Sequence, residues 1–373
     1  MTPLPDARLQ HLPVKGRGTA TRLAHRFAGH VREAVDDGWA NGCGVGDEDA
    51  PEAMLPTVTQ VTPEQARSIL SGNQSPDIPF TWSINPYRGC EHGCIYCYAR
   101  PTHSYLNLSP GLDFETRLVA KVNAAALLRQ ELQKPSHVCS PINIGSATDP
   151  YQPIEREWRI TRGVLEVLNA CQHPYTLITK SSGVERDIDL LAQAGARQQA
   201  YVMISLTTLD AALCRKLEPR AAAPHRRLQT IQRLAEAGVP VGVNVAPIIP
   251  FLNEPEIESL IEAAAQAGAQ SIHYTVLRLP WEVKPLFEEW LGHHVPDKAE
   301  RIMARVRELR GGKDYDADFA WRMKGEGVWA QLIAQRVHKA VARHGLQRRL
   351  PALDGRTFDP RALRPASPQL GLF

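Results

Sequence analysis

No run of about 18 apolar residues occurs anywhere in the 373-residue sequence, which excludes a membrane-spanning helix. Aromatic residues are scarce at 6 %, and neither sign of charge dominates: 43 Lys and Arg stand against 40 Asp and Glu, a formal +3. That balance excludes a strongly cationic or anionic protein; it permits an anionic partner without demanding one. Cysteine is sparse too. Seven are too few and too unevenly spread for a disulfide scaffold, and Met1-Thr2-Pro3-Leu4-Pro5 lacks the apolar stretch of an export signal. A reducing cytoplasm is the expected compartment. What remains, 43 % hydrophobic and 22 % charged residues, is ordinary for a globular chain long enough for one large α/β domain or two smaller ones.

Three regions are expected. Residues 1–80 are rich in Gly, Pro, Arg and Asp without sustained periodicity, so they read as an irregular lead-in. A short helix is expected from Pro63, where Thr62 and Gln65 match a capping box. Across 81–280, β-prone runs at Trp82–Pro86, Ile142–Gly145, Tyr175–Thr179, Ala200–Leu206, Val239–Ala246 and Ser271–Leu277 alternate with amphipathic helical stretches, among them Glu115–Leu132 and Arg227–Ala237. Alternation of this kind implies a parallel sheet with right-handed crossovers. Six units make an α/β partial (β/α)6 barrel; periodicity alone does not separate it from a flat doubly wound sheet. Residues 281–373 read as a helical C-terminal extension. No internal repeat is visible.

Three of the cysteines, Cys90, Cys94 and Cys97, crowd together, while Cys43, Cys139, Cys171 and Cys214 are scattered. Thiolates at i, i+4 and i+7, straight after a strand, can wrap one corner of a [4Fe-4S] cluster and leave the fourth iron without a protein ligand. An open position on a metal is where a substrate or cofactor binds. The competing reading is a zinc site, for which His92 would have to share the same short loop.

The run Asn85-Pro86-Tyr87-Arg88-Gly89-Cys90-Glu91-His92-Gly93-Cys94-Ile95-Tyr96-Cys97-Tyr98-Ala99-Arg100-Pro101 resembles the radical S-adenosylmethionine (SAM) enzymes, and more narrowly their DNA repair photolyase-related, spore photoproduct lyase-like subgroup. The resemblance covers about residues 80–280. It implies a [4Fe-4S] cluster and S-adenosylmethionine as cofactors, with a one-electron reductant such as a flavodoxin or ferredoxin as partner. It also implies cleavage of the sulfonium bond to methionine and a 5′-deoxyadenosyl radical. Tyr96 is implied to lie by the adenine. Cys139, placed before the second strand, corresponds broadly to a cysteine that donates hydrogen to the repaired product in spore photoproduct lyase; the plain alternative is a small buried hydrophobe.

Cofactor-binding residues are sought at the C-terminal ends of the strands. After the second strand, where many relatives carry Gly-Gly-Glu, this chain has Gly145-Ser146-Ala147-Thr148-Asp149-Pro150, so Ser146, Thr148 and Asp149 stand as substitutes. An acidic Asp149 suits an ammonium group, or else forms an Asp-Pro turn. Lys180 follows the third strand and is suited to a carboxylate. Ser205 follows the fourth, placed for ribose or carboxylate, and Asn244 with Pro247-Ile248-Ile249-Pro250 would flank the adenine.

A nucleic-acid substrate follows only by analogy. The segment 336–364 holds Arg336, Arg343, Arg348, Arg349, Arg356, Arg361 and Arg364, but Asp354 and Asp359 interrupt it, and no aromatic-interleaved stretch marks a stacking platform. The leading expectation is a radical SAM enzyme, with lyase-type DNA lesion repair as its finer form. Two other classes compete: a non-catalytic iron-sulfur protein that transfers electrons or senses redox state, and a structural zinc module. An electron carrier would more naturally hold four cysteine ligands and no cofactor pocket.

Overall fold

Six short strands pair in sequence order, as the alternation predicts: β1 (Trp82–Ile84), β2 (Ile142–Ile144), β3 (Tyr175–Thr179), β4 (Ala200–Ser205), β5 (Val241–Ile248) and β6 (Ser271–Val276). Each neighbouring pair is parallel. The computed structural model describes residue 14 and residues 16–27, 58–348 and 352–364. Among the described strands β6 does not return to β1; a short strand, Leu70–Gly72, instead borders β1 antiparallel. The sheet is therefore an open barrel.

Strand parity decides between barrel and flat sheet. Ile144, Leu177, Val202, Ile204, Val243 and Val245 point one way into a single apolar core. Helices Ile160–Ala170, Pro224–Glu236 and Ile257–Gln266 cover that face with Val164, Leu165, Ile231, Leu234, Leu260 and Ile261. Each such buried side chain contributes about 1.5–3 kcal/mol relative to exposure. Most alternate positions are polar or small, Asn143, Thr176, Ser205, Gly242, Asn244 and His273, with Ile178, Tyr201 and Met203 as larger members of the same face. They share the other face, as hydrogen bonds from Thr176 Oγ1 to Asn143 Oδ1 (2.9 Å) and between the Tyr201 and Ser271 hydroxyls (2.9 Å) show. A doubly wound sheet would be apolar on both faces. Here one face carries helices and the other is a polar concavity. Glycines in the left-handed region stop two of the covering helices, Gly238 at φ 76° and Gly268 at φ 94°.

Two local expectations are corrected. Residues around Pro63 form a strand, Gln60–Glu64, pairing parallel with Arg117–Lys121. The stretch 115–132 is accordingly split into helix Leu112–Thr116, strand Arg117–Lys121 and helix Ala124–Leu132. The ladder between these distant segments outweighs the capping-box signal, a tertiary override of a local preference. Residues 16–27 lack regular structure, yet they are bound down: Leu112 N–H donates to Thr21 O (3.0 Å) and Ser109 Oγ to Leu23 O (2.9 Å).

The C-terminal region is helical over Val283–His294, Pro296–Glu308 and Gly327–Arg343. The first two pack Phe287, Trp290, Ile302 and Val306 against Ile95 and Tyr96. Residues 352–364 cross the N-terminal ends of the strands, where Asp359 N–H donates to Cys171 O (2.9 Å). Among the described residues no helix is long and apolar enough to cross a membrane.

Candidate functional site

The cysteine loop leaves the C-terminal end of β1 through the short strand Tyr87–Arg88 and is shaped by two left-handed glycines. A Cβ on Gly89 (φ 77°) would fall 2.8 Å from Phe114 O, and one on Gly93 (φ 66°) 2.7 Å from Glu115 Oε2. Beneath the loop lies a fully buried ion pair. Arg100 Nη2 meets Glu115 Oε1 at 2.6 Å, while Arg100 Nε donates to Cys94 O at 3.0 Å. Glu115 also accepts from Gly18 N–H (2.8 Å), so the N-terminal segment is pinned onto the loop. A carboxylate and guanidinium without access to water persist only because each is paired and further hydrogen-bonded.

Cys90 and Cys94 are buried, Cys97 is half-buried, and all three are free thiols. Burial pushes each above the ordinary thiol range; Asp149 and Cys97 add to this at Cys90, and Glu218 at Cys94. Such thiols become thiolates only beside added positive charge, which bound iron supplies. The scattered cysteines among the described residues lie elsewhere: Cys139 and Cys171 at the N-terminal ends of the strands, Cys214 against Glu218 and Arg227. Cys43 lies outside the described residues. Nor do three His, Cys, Asp or Glu side chains among the described residues converge tightly enough to grip one ion. The donor set suits a multi-iron cluster held at three corners better than zinc.

The segment after β2 forms a brace for this loop. Thr148 Oγ1 donates to Gly89 O (2.6 Å), Gln152 Nε2 to Thr148 Oγ1 (3.0 Å), and Glu91 N–H to Gln152 Oε1 (2.8 Å). Ser146 Oγ accepts from Asn85 Nδ2 (3.1 Å). Asp149 is occupied on both oxygens: Oδ1 accepts from Thr179 Oγ1 (2.7 Å) and Tyr151 N–H (2.9 Å), and Oδ2 from Lys180 N–H (2.8 Å), with His92 Nδ1 at 3.3 Å. Burial opposes its ionisation, but His92 and these donors hold the carboxyl below its usual range. Asp149 thus ties β3 to the cysteine loop.

On the loop's other side, Tyr96 is buried, its hydroxyl donating to Glu218 and lying 3.1 Å from Thr207 Oγ1. Glu218 is itself held by the buried Arg227, whose Nη1 also donates to Ser205 O (3.0 Å). Lys180 Nζ reaches in to 3.9 Å from Glu218 Oε1 and 5.8 Å from the Tyr96 ring centroid. Burial works against the Glu218 charge, yet Arg227 and Lys180 bring its carboxyl down to about 2.

From Lys180 the pairing register leads across the concave face. Ser205 sits opposite Asn244, and Asn244 opposite His273. Two nitrogens on this face, Asn143 Nδ2 and His273 Nε2, are buried without a partner. Burial and Lys324 push His273 below its usual range, so the ring is neutral near pH 7.

The structure therefore brings Cys90, Cys94, Cys97, Tyr96, Ser146, Thr148, Asp149 and Lys180 to one end of the sheet, with Ser205 and Asn244 along its inner face. It does not bring Cys139 there. That side chain precedes β2 at the opposite end, its Sγ 3.8 Å from Gly355 O. Sequence reasoning missed Glu218, Arg227, Glu115 and Gln152. Glu218 lies in a Leu217-Glu218-Pro219 turn and Glu115 in a five-residue helix, where nothing local marks a charge as buried.

Residues 84–264 match the family model described as the Radical SAM superfamily. An uncharacterized protein of Mycobacterium tuberculosis (strain ATCC 25618 / H37Rv) is 37 % identical over 234 residues, which is 62 % of this chain and 68 % of the relative. An uncharacterized protein of Methanocaldococcus jannaschii is 28 % identical over 173 residues, 46 % of this chain and 62 % of that protein. Among solved structures, a spore photoproduct lyase complexed with dinucleoside spore photoproduct shares the fold at a TM-score of 0.52 and 15 % identity, over 76 % of this chain and 79 % of that one. A mutant of the same lyase with bound AdoMet and dinucleoside spore photoproduct matches equally, at a TM-score of 0.52.

Proposed function

We propose that this chain, which belongs to the radical SAM superfamily, binds a [4Fe-4S] cluster on Cys90, Cys94 and Cys97 and reductively cleaves S-adenosylmethionine. The observation that carries the proposal is the convergence, at the C-terminal ends of the parallel strands, of two buried thiols and a half-buried third, a buried Tyr96 and an inward-reaching Lys180. When bound and reduced by one electron, the cluster supplies the electron that splits the sulfonium bond, giving methionine and a 5′-deoxyadenosyl radical that takes a hydrogen atom from the substrate. The chain's part is to bind and orient. Lys180 pairs with the cofactor carboxylate. Tyr96, fixed by Glu218 and Thr207, presents its ring to the adenine. Ser205 and Asn244 hold the nucleoside from β4 and β5. Thr148, Gln152 and Asp149 keep the loop in one geometry, so that the cofactor meets a preformed site. A flavodoxin or ferredoxin is the proposed reductant.

The finer reading, a nucleic-acid substrate and lyase-type lesion repair, is supported by the fold shared with spore photoproduct lyase, whose structures hold a dinucleoside photoproduct. One anaerobic experiment tests the core of the proposal. Protein reconstituted with iron and sulfide, reduced with dithionite and given S-adenosylmethionine should release 5′-deoxyadenosine and methionine. Fully loaded, reduced protein that yields neither would remove it.

A further inference from the structure

Three of the C-terminal arginines carry carboxylate partners rather than free charge. Arg336 is paired with Glu254 (2.8 Å) and Glu258 (2.6 Å), Arg356 with Asp354 (2.9 Å), and Arg361 with Asp359 (2.9 Å); Arg349 lies outside the described residues. Unpaired positive charge also stands at the end of β6. Arg278, two residues past the end of β6, meets Met323 Sδ (3.4 Å) and the Tyr315 hydroxyl (3.5 Å) but no carboxylate within ion-pair distance among the described residues, and its Nε has no partner. Behind it Arg310 donates to Leu277 O (2.7 Å) and Trp321 O (2.8 Å). Burial, and after it the nearby Arg278 charge, push Arg310 down to about 10, with Tyr315 and Asp316 opposing.

Aromatic rings gather around the same place, and they are exposed: Tyr105 by 70 %, Trp281 by 62 %, Phe27 by 53 % and Tyr98 by 50 %. They are not scattered. Phe27 and Tyr105 lie 5.4 Å apart between ring centroids, and the Arg26 guanidinium stacks over Trp281 at 4.1 Å and over Phe27 at 5.0 Å. Trp281 approaches Tyr315 at 6.3 Å, Tyr315 lies 3.5 Å from Arg278 Nη2, and Arg278 covers Tyr98 at 5.3 Å. The chain of contacts is continuous from the N-terminal segment to Tyr98, the residue after the third loop cysteine. Trp281 is held at φ 46°, a backbone region that a bulky side chain rarely occupies and that surrounding structure must enforce. Single exposed aromatics need no explanation; a contiguous row does.

We propose that this row is a docking track for single-stranded nucleic acid, whose unpaired bases stack on Phe27, Tyr105 and Trp281 while Arg278 takes a phosphate at the mouth of the barrel. The proposal rests on the nucleic-acid reading above and gives it a surface. Rings alternating with guanidiniums suit bases alternating with phosphates, because every base offers a π-face and every linkage a negative charge. Duplex bases, already stacked on one another, cannot use such a row. The contributing segments, 26–27, 98, 105, 278–281 and 315, are far apart in sequence, which is why no stretch of the chain shows the pattern.

The test uses the full reconstituted protein and a fluorescein-labelled oligothymidylate of about 12 nucleotides, the length a track of this kind spans. Anisotropy titrations over a salt series should show binding that weakens with salt, with the same oligonucleotide in duplex form bound more weakly. Trp281→Ala and Tyr105→Ala should each weaken binding about tenfold, the loss expected for one stacked base, and Trp281→Phe should restore most of it. Arg278→Gln should flatten the salt dependence. Unchanged affinity in both alanine variants, with unfolding midpoints like wild type, overturns the proposal. So does loss of reduction by flavodoxin in those variants with oligonucleotide binding intact, which would make the row a protein-docking face. Dithionite-driven cleavage of S-adenosylmethionine in the same preparations separates the two levels: cleavage without oligonucleotide binding removes the track alone, and absence of cleavage removes the enzymatic reading.

Discussion

Lys180 Nζ stands 3.9 Å from Glu218 Oε1, a largely buried cation leaning on a carboxylate that has no contact with water. Because Arg227 already neutralises Glu218, the Lys180 charge is only partly compensated and remains available to an incoming carboxylate. Lys180→Met should therefore weaken S-adenosylmethionine binding about tenfold or more while leaving the iron content and the unfolding midpoint close to wild type. Equilibrium dialysis of the reconstituted variant decides; an unchanged Kd would remove Lys180 from the cofactor site.

Glu218 itself makes a different prediction. It joins Tyr96, Thr207, Cys214 and Arg227, so Glu218→Gln leaves the Arg227 guanidinium buried without a counter-charge. Breaking a buried pair from one side costs about 3–5 kcal/mol, whereas replacing both partners by apolar residues often costs far less. The double variant Glu218→Leu with Arg227→Met should accordingly unfold at a higher temperature than Glu218→Gln. Calorimetry on the three proteins tests this. If the single variant melted with wild type, the pair would be contributing nothing to the floor of the site.

How far the sequence reaches is visible in these two residues. Lys180 is legible because it follows an apolar strand, and strand ends are where a parallel barrel binds ligands. Glu218 is not, since its importance comes from contacts with residues up to 122 positions away. The six barrel strands are legible as β-prone runs between helical stretches, and the open barrel follows from the polarity of their inner face once register is known. Register is what the sequence withholds. The strand Gln60–Glu64 carries a helix-start signal at Thr62-Pro63, and only its ladder with Arg117–Lys121 makes it extended. The aromatic row escapes for the same reason, being assembled by tertiary contact.

The cysteines divide by position in the barrel. Cys94 lies in the loop at the C-terminal ends of the strands and Cys139 at the far end beside Gly355. Cys94→Ala should abolish cluster loading, read from iron content and the visible absorbance of the reconstituted protein. Cys139→Ala should retain both and should still release 5′-deoxyadenosine. A Cys139 variant that lost the cluster would contradict the ligand assignment; one that loaded and cleaved normally but left a substrate product unquenched would restore the hydrogen-donor role that the resemblance implies.

Glu185 gives a pH dependence outside the site. It lies just past β3 and accepts hydrogen bonds from Arg226 (2.6 and 2.8 Å), Arg233 (2.6 Å) and Thr230 (2.6 Å), tying that segment to helix Pro224–Glu236. Burial alone would raise its carboxyl, but these donors bring it down to about 2 from the usual 4.5. A depressed carboxyl favours the folded state fully above the unfolded value and loses that contribution as pH falls toward the folded one. The window is therefore from about pH 4.5 down to about 2. Glu185→Gln should be less stable than wild type at pH 7 by about 1–2 kcal/mol, discounted for the exposed Arg233. The gap should narrow as pH drops below about 4.5, because protonation removes from wild type what the substitution has already removed. Urea midpoints of the two proteins, prepared alike at pH 7 and at successively lower pH, measure it. A gap that stays constant through the window would show that the Glu185 charge carries none of the stability.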